Sequence, residues 1–595
     1  MDSIVESRFK EYDKFYDESL YKVYKSIGYP SSWIEEGKNY HHDDAYVIFH
    51  PSWSNEEIPA IPLISVYDLF RLSVEKHGND TAIIFLDKPI TYRELDELIN
   101  QYASMLLDFG VQKGDVVAVM LPNSLQHWVA FLGANRIGAV HSPLNAMYKE
   151  DEIEYQLRDS GAKIVLTLDL FAGNFIKLQK SLGIKKILVT NVRDFSNPDA
   201  IISTALKPIW DIQKRGIDGT LDLFETIKKY NPTNMVVPCK PKEDVALLLY
   251  TAGTTGGVSK GVMQTHFNVV FNSFSHTHFT KIWKRREVNF SIMPMFHASG
   301  YHLHTLPTLY QGGTVIPIPM FDVIDALRII QQYRVNTIFA PPTLFIALLQ
   351  QLKQRKHDIS SLELTVGCGT AVPPAVQKAW YDAANITLTN GWGMTETNCG
   401  GCMSCVGRKE KLESIGVPIF SEVKIVDDKG QIVKRGIEGE IVYRGLQVSK
   451  GYLNKPEETR AVFQKDGWLK TGDIGFIDEE DFLHFIDRKK DLIIASGYNI
   501  APVDVEKVLY QHHAVMEAAV IGVFDEYRGE TVKAFVVLKA EYQEKVTGND
   551  IIAFCKEKLA TFKVPRIVEF IDAVPKNPQG KVLKRVLRDR EKAKN

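Results

Sequence analysis

The sequence predicts an α/β protein: a large N-terminal domain of helix-covered parallel sheets with a small β-barrel subdomain, then a smaller mobile α+β C-terminal domain. Three observations carry that expectation. From about residue 80, apolar strand patterns alternate with helical ones, the rhythm of parallel sheets with helices on their faces. Between Ile415 and Tyr443 the pattern turns to short alternating strands. After about Asp487 a compact segment carries apolar strands of its own. The 595 residues allow about four domain-sized units. The division expected is an N-terminal extension over residues 1–60, a large domain over 61–488 and a small domain over 489–595.

The N-terminal extension is rich in Tyr, Trp and His, and reads as an appendage packed on the main body. Thr91 and Glu94 have capping-box spacing and open a helix that closes near Gly110. Asp115 to Leu121 is a buried strand, Pro122-Asn123 the turn after it, and a helix follows to Ile137 with Gly138 as its stop. Val245 to Tyr250 is a buried strand pattern. The rhythm resumes with a helix from Val323, a strand from Val335 to Ala340, a helix after Pro342, a strand from Leu362 to Val366, a helix after Pro373 and a strand near Ile386. In such sheets ligands sit beyond the carboxyl ends of the strands. Asp428-Lys-Gly430 and Gly436 to Gly439 mark turns of the small β subdomain. In the C-terminal segment the strands are Ala518 to Val523 and Ala534 to Leu538, and the helices Val503 to Gln511 and Ile551 to Leu559.

Composition narrows the function. Lys+Arg number 71 against 73 Asp+Glu, a formal charge of −2, so no global positive field recruits nucleic acid or an anionic membrane. An anionic ligand must be held by local groups. There is no apolar signal core at the start and no apolar stretch of membrane-helix length. Six Cys in so long a chain fit reduced thiols better than a disulfide framework. The expectation is a cytoplasmic protein without an integral membrane segment.

The strongest local signal is Tyr250-Thr-Ala-Gly-Thr-Thr-Gly-Gly-Val-Ser-Lys-Gly-Val262, a strand running into glycines and hydroxyls that end in Lys260. Glycines let backbone N–H groups approach an anion, and Thr251, Gly253, Thr254, Thr255, Gly256 and Lys260 have the composition of a phosphate cradle. It is not a Walker sequence, because Lys260 precedes Gly261 and no Gly-Lys-Ser/Thr follows. Nor is there a good dinucleotide fingerprint, since Gly367-Cys-Gly369 has Val372 where a third Gly should fall. Alone, the loop would also fit a flexible glycine turn. Downstream lie Gly391-Trp-Gly-Met-Thr-Glu-Thr397, Lys470-Thr-Gly-Asp473, Asp487-Arg-Lys-Lys-Asp491 and Pro575-Lys-Asn-Pro-Gln-Gly-Lys581.

With these five motifs in this order, the chain from about residue 65 to its end resembles the adenylate-forming superfamily of acyl-CoA synthetases, adenylation domains and luciferases. It is most similar to the AMP-forming medium- and long-chain fatty-acid ligases. The resemblance implies ATP, Mg²⁺ and coenzyme A beside a fatty acid, and leaves room for a homodimer. It implies nucleotide contacts from the Thr251–Lys260 loop, Gly369, Thr370, Gly391, Trp392, Gly393, Met394, Thr395, Asp473 and Arg488. Trp392 has a flat face for a purine, Thr395 a donor for the α-phosphate, Glu396 a hard oxygen for the metal, and Asp473 an acceptor for ribose hydroxyls with Arg488 as companion. Lys581 matches the C-terminal lysine that bridges carboxylate and α-phosphate; without the motif order it would read as part of the basic tail with Lys584, Arg585 and Arg588. Lys490 matches the hinge and Gly497 the residue that leaves room for the pantetheine arm. Lys581 would face the nucleotide for adenylation and then swing away.

His297 stands where amino-acid-activating relatives place Asp, which argues against an α-amino acid. His297, His302 and His304 have metal-like spacing, as do Cys399, Cys402 and Cys405 with Cys368, but pocket lining is the stronger reading of both. Small residues around Gly367 to Thr370 and Cys399 to Cys402 would leave a deep apolar tunnel. The rival readings are an aryl-CoA ligase, a ligase loading a carrier protein, and a non-catalytic nucleotide- or acyl-binding relative.

Overall fold

Thr91 caps the helix Tyr92–Asp108: its hydroxyl accepts from Glu94 N while the Glu94 carboxylate accepts from Thr91 N. The capping box therefore forms where its spacing places it, and the chain leaves through Gly110 at φ 70°. The computed structural model describes residues 25, 27–37, 44–48 and 61–594, apart from 252–258, 281–285, 370–371, 405–410, 412, 490, 496–497, 526–527 and 577–581.

Two large sheets form the main body. The first runs Lys260–Thr265, Val245–Thr251, Val140–Pro143, Val116–Met120, Ile164–Leu168, Lys186–Thr190, Leu221–Asp222, parallel except for its first pair. In the second, Leu388–Trp392, Leu364–Gly367, Thr337–Ala340, Val288–Ser291, Thr314–Pro317 and Thr81–Phe85 are parallel neighbours, with antiparallel strands at both edges. Their strands are apolar on both faces because helices cover both sides. The helix Leu125–Arg136, nearly all buried, lies in the core shared with the helices Val66–His77 and Tyr92–Asp108.

The two sheets are joined by polar groups. Asn123, in the turn after Val116–Met120, donates to Ser291 O (3.1 Å) and Met293 O (3.0 Å) and accepts from Met295 N (2.8 Å). Tyr301 Oη meets His127 Nε2 at 2.7 Å and His141 Nε2 at 2.9 Å, all three side chains fully buried. The loop Ser291–Met295, which precedes His297, is thereby fixed to the carboxyl end of a strand in the other sheet.

The β subdomain is a five-stranded antiparallel sheet: Tyr46–Ile48, Glu422–Val426, Gly439–Arg444, Leu469–Ile477, Leu483–Arg488. Its strands pair in that order, and among the described residues no pairing joins the first strand to the last. One edge is covered by Tyr46–Ile48 from the N-terminal extension. That extension also supplies Glu36, which pairs with the fully buried Arg444 at 2.5 Å and accepts from Trp468 Nε1 at 3.2 Å. Arg444 is held on its other side by Glu422 at 2.5 Å. Burying a guanidinium is tolerable only with such paired carboxylates.

In the C-terminal segment, Val515–Asp525 and Gly529–Leu538 form an antiparallel pair, with Ile567–Phe570 parallel to the latter. The helices Pro502–Leu509 and Gly548–Lys558 pack on one face, and Leu587 of the helix Lys584–Lys592 on the other. Lys584 Nζ lies 3.1 Å from Glu506 and 3.5 Å from Asp487, which belongs to the β subdomain.

Burial pushes several imidazoles below the ordinary histidine value of 6.5: His127 and His302 to about 3, His266 to about 4, and His141 and His276 well below it. Under acid the unfolded chain protonates these rings near pH 6.5 while the folded chain does not. Stability is therefore full above pH 6.5 and is lost as pH falls toward the folded-state values. Between pH 7.5 and 5.5 each such ring should remove on the order of 1 kcal/mol, read as a lower urea midpoint. Equal midpoints at the two pH values would contradict this.

Candidate functional site

The glycine-rich loop is held at the neck of a hairpin. Val245–Thr251 and Lys260–Thr265 pair antiparallel with Thr251 opposite Lys260, so the chain leaves and re-enters the sheet at one point. Ser259 donates its hydroxyl to Thr251 O, and Tyr155 Oη donates to Ser259 O at 2.7 Å. Gly253, Thr254, Thr255 and Gly256 lie outside the described residues, as do Thr370, Cys405, Lys490, Gly497 and Lys581.

From that hairpin a hydrogen-bond chain leads to the turn Thr395–Thr397. Gln264 Nε2 donates to Thr395 O at 2.9 Å, and Ser449 N donates to Glu396 O at 2.8 Å. Glu396 is 7% exposed and Thr395 9%. Tyr452 Oη donates to Glu396 Oε1 at 2.7 Å, and Lys260 Nζ lies 4.9 Å from the centre of the Tyr452 ring. Burial pushes the Glu396 carboxyl above the ordinary range, opposed by the Tyr452 hydrogen bond and by the Arg488 and Lys260 cations. The turn is tight because Met394 O accepts from Cys399 N at 2.9 Å. A Cβ at Gly393 would stand 2.5 Å from Cys399 O, so only glycine fits there. Gly391 lies in the strand Leu388–Trp392 leading into the turn, and Met394 is half-buried at its start.

Trp392, Asp473 and Arg488 form a second group. Asp473 and Arg488 are direct partners in the β-subdomain ladder, and Arg488 Nε lies 3.5 Å from Asp473 Oδ1. Trp392 Nε1 donates to Asp473 Oδ2 at 2.8 Å. Both oxygens of a 5%-exposed carboxylate are thus engaged, which fixes the indole plane against the β subdomain. The sequence pairs Asp473 with Arg488; the indole hydrogen bond is additional.

His297 is half-buried and caps the helix Ala298–His302, its Nδ1 accepting from Ser299 N at 3.2 Å. The other two histidines diverge from it. His302 Nε2 meets Gln264 Oε1 at 2.8 Å. His304 stacks on Phe339 at 4.2 Å, its Nδ1 being 3.3 Å from the buried Glu287. Among the described residues no group of three His, Cys, Asp or Glu is arranged to hold a metal ion. Cys368 and Cys399 are buried thiols, the former pushed up to about 12, and Cys402 packs in the β-subdomain core with Tyr443. At Gly367 a Cβ would lie 1.9 Å from Val372 Cγ2, so Val372 fills the space its missing side chain leaves. Gly369 is exposed, at φ +84°.

Sequence reading passed over Gln264 and Tyr452, which tie the Thr395–Thr397 turn to the hairpin. Gln264 lies on a strand read only as the end of the loop. Tyr452 sits in a polar stretch 56 residues from Glu396 in sequence, where no local periodicity marks it.

Among known proteins, the model of the family described as AMP-binding enzyme matches residues 70–453, and that of the AMP-binding enzyme C-terminal domain matches residues 504–581. A long-chain-fatty-acid–CoA ligase of Bacillus subtilis is 36% identical over 555 residues, covering 91% of this chain and 97% of the relative. An anthranilate CoA ligase solved with anthranoyl-AMP superposes with a TM-score of 0.79 at 27% identity, over 89% of this chain and 98% of the other. ATP-bound MatB from Rhodopseudomonas palustris gives 0.78 at 27% identity, over 89% of this chain and 99% of the other.

Replacing Asp473 tests the second group. Asp473→Leu strands the indole N–H and Arg488 and should cost about 2–3 kcal/mol of unfolding free energy, against about 1 for Asp473→Asn, which keeps an acceptor. Urea unfolding followed by tryptophan emission measures both. Equal losses for the two variants would contradict the geometry.

Proposed function

We propose that this chain, which belongs to the AMP-binding enzyme family, joins a medium- or long-chain fatty acid to coenzyme A at the expense of ATP. A carboxylate does not condense with a thiol at neutral pH, because its charge repels nucleophiles and oxide is a poor leaving group. In the first step a carboxylate oxygen attacks the α-phosphorus of ATP; a P–O bond forms, the α–β bridge breaks and pyrophosphate leaves. In the second the CoA sulfur attacks the acyl carbon, loses its proton, and AMP departs. Binding and electrostatics suffice for both, with no covalent enzyme nucleophile.

The observation that carries this reading is the convergence of Lys260, Thr395 and Glu396 through Gln264 and Tyr452, with Arg488 acting on the Glu396 charge and paired with Asp473, which accepts from Trp392. In the proposed arrangement the Thr251–Lys260 loop, with Gly253, Thr254, Thr255 and Gly256, cradles the outgoing phosphates. Trp392 and Met394 flank the adenine, with Gly369, Thr370, Gly391 and Gly393 leaving room for it. Asp473 and Arg488 take the ribose, and Thr395 donates to the α-phosphate. The donors fit Mg²⁺: Glu396 offers one hard carboxylate oxygen where phosphate oxygens would complete the set. When bound, the metal would offset charge on the triphosphate. His297 and Gly367 would border the acyl chain, and Gly497 the pantetheine arm. Lys581 would neutralise the two anions as they meet, carried by a small domain, residues 489–595, that turns about Lys490. Among the described residues no helix is long and apolar enough to cross a membrane, and we place the reaction in the cytoplasm, where ATP and CoA are abundant.

The experiment is ATP–pyrophosphate exchange with decanoate, palmitate and coumarate. Exchange driven by one of the fatty acids and feeble with coumarate is expected; a clear coumarate preference would replace this reading with an aryl-CoA ligase. In the same protein, Lys581→Ala should lower the adenylation rate by 10²-fold or more, on the order seen when a charge-stabilising donor is removed. Thiolysis of supplied acyl-AMP should stay within a few-fold of wild type. Equal loss of both half-reactions would remove Lys581 from its assigned role.

A further inference from the structure

Tyr452 stands where three segments distant in sequence meet. Its backbone bridges Val262 in antiparallel register. Hydrogen bonds from Met263 N to Gly451 O (2.9 Å), Lys450 N to Met263 O (2.9 Å) and Leu453 N to Gly261 O (2.8 Å) lay residues 450–453 along the strand that begins with Lys260. From there the phenol reaches Glu396 Oε1 at 2.7 Å, while Lys260 Nζ lies 4.9 Å from the ring centre.

The ring is held from every side. It is 6% exposed, Phe463 packs against it edge-on at 5.3 Å, and Tyr452 N donates to Thr459 Oγ1 at 3.0 Å. Gly451, at φ +130°, allows this approach, since a Cβ there would come within 2.6 Å of Thr459 Cγ2. In this hydrogen bond the Tyr452 hydroxyl is the donor and Glu396 Oε1 its acceptor. With Oε1 committed, the carboxylate cannot rotate freely. A hydrogen bond to a charged group contributes more than a neutral one, and the same side chain that donates it carries the Lys260 ammonium against its ring.

We infer that Tyr452 is a positioning residue for the metal–triphosphate: by holding Glu396 Oε1 on its hydroxyl and the Lys260 ammonium against its ring, it presets the carboxylate and the cation that receive the metal and the phosphates together. The inference rests on the proposed reading of Glu396 as the metal-holding carboxylate. It separates two kinds of nucleotide binding, because AMP needs the adenosine contacts but not the preset pair.

Calorimetric titration of the full chain tests it, with a non-hydrolysable ATP analogue in Mg²⁺ and, separately, with AMP in EDTA. Tyr452→Phe, which removes only the hydroxyl and keeps the ring under Lys260, should weaken the Mg²⁺–analogue complex about tenfold and leave AMP within twofold of wild type. Glu396→Gln should weaken the Mg²⁺ complex at least as much, and the double variant should be no weaker than Glu396→Gln alone. Unchanged Mg²⁺–analogue binding by Tyr452→Phe, parallel loss of AMP binding, or additive losses in the double variant would overturn the positioning role. Unchanged binding by Glu396→Gln would instead overturn the reading of Glu396 itself.

Discussion

A carboxylate buried where three distant parts of the chain meet is the constraint around which this site is arranged. Burial raises the Glu396 carboxyl pKa. The opposing influences come from Tyr452, Lys260 and Arg488, which belong to three separate parts of the chain. The hairpin carrying Lys260, the stretch carrying Tyr452 and the ladder carrying Arg488 are thereby all brought to bear on one buried side chain. Gln264 reinforces the arrangement by joining the hairpin to the Thr395–Thr397 turn on one side and to His302 on the other.

This dependence explains why so many polar groups are buried between the two large sheets. Asn123 and the Tyr301–histidine trio spend their hydrogen bonds on one another and on the backbone. Buried hydrogen bonds of this kind set the relative position of two layers more sharply than apolar packing does. The loop that leads to His297 thereby keeps a fixed relation to strands of both sheets.

Much of the fold was legible in the sequence because its elements are locally determined. The capping box at Thr91, the apolar runs at Val116–Met120 and Val245–Thr251, and the proline-opened helices at Pro342–Gln354 and Pro374–Ala384 formed within a few residues of expectation. The Asp473–Arg488 pairing was also foreseen, though as a motif relation; the ladder register supplies its cause. What escaped was long-range. Tyr452 and Gln264 act across 56 and 131 residues, and their chemistry is invisible until the strands are aligned. In the histidine triplet the helix ends at His302 and the chain turns through His304 at φ 61°, and each ring takes partners of its own: Ser299 for His297, Gln264 for His302 and Phe339 with Glu287 for His304.

Glu36 carries a consequence beyond its own pairing. It lies before the stretch that matches the AMP-binding enzyme model, yet it shares with Glu422 the charge of a guanidinium that has no access to solvent. A fragment trimmed to begin at residue 61 would keep the whole proposed nucleotide pocket and still leave Arg444 with a single counter-ion. The leading residues are in that sense part of the foundation under Asp473 and Arg488, and homology-guided trimming would discard them as ornament.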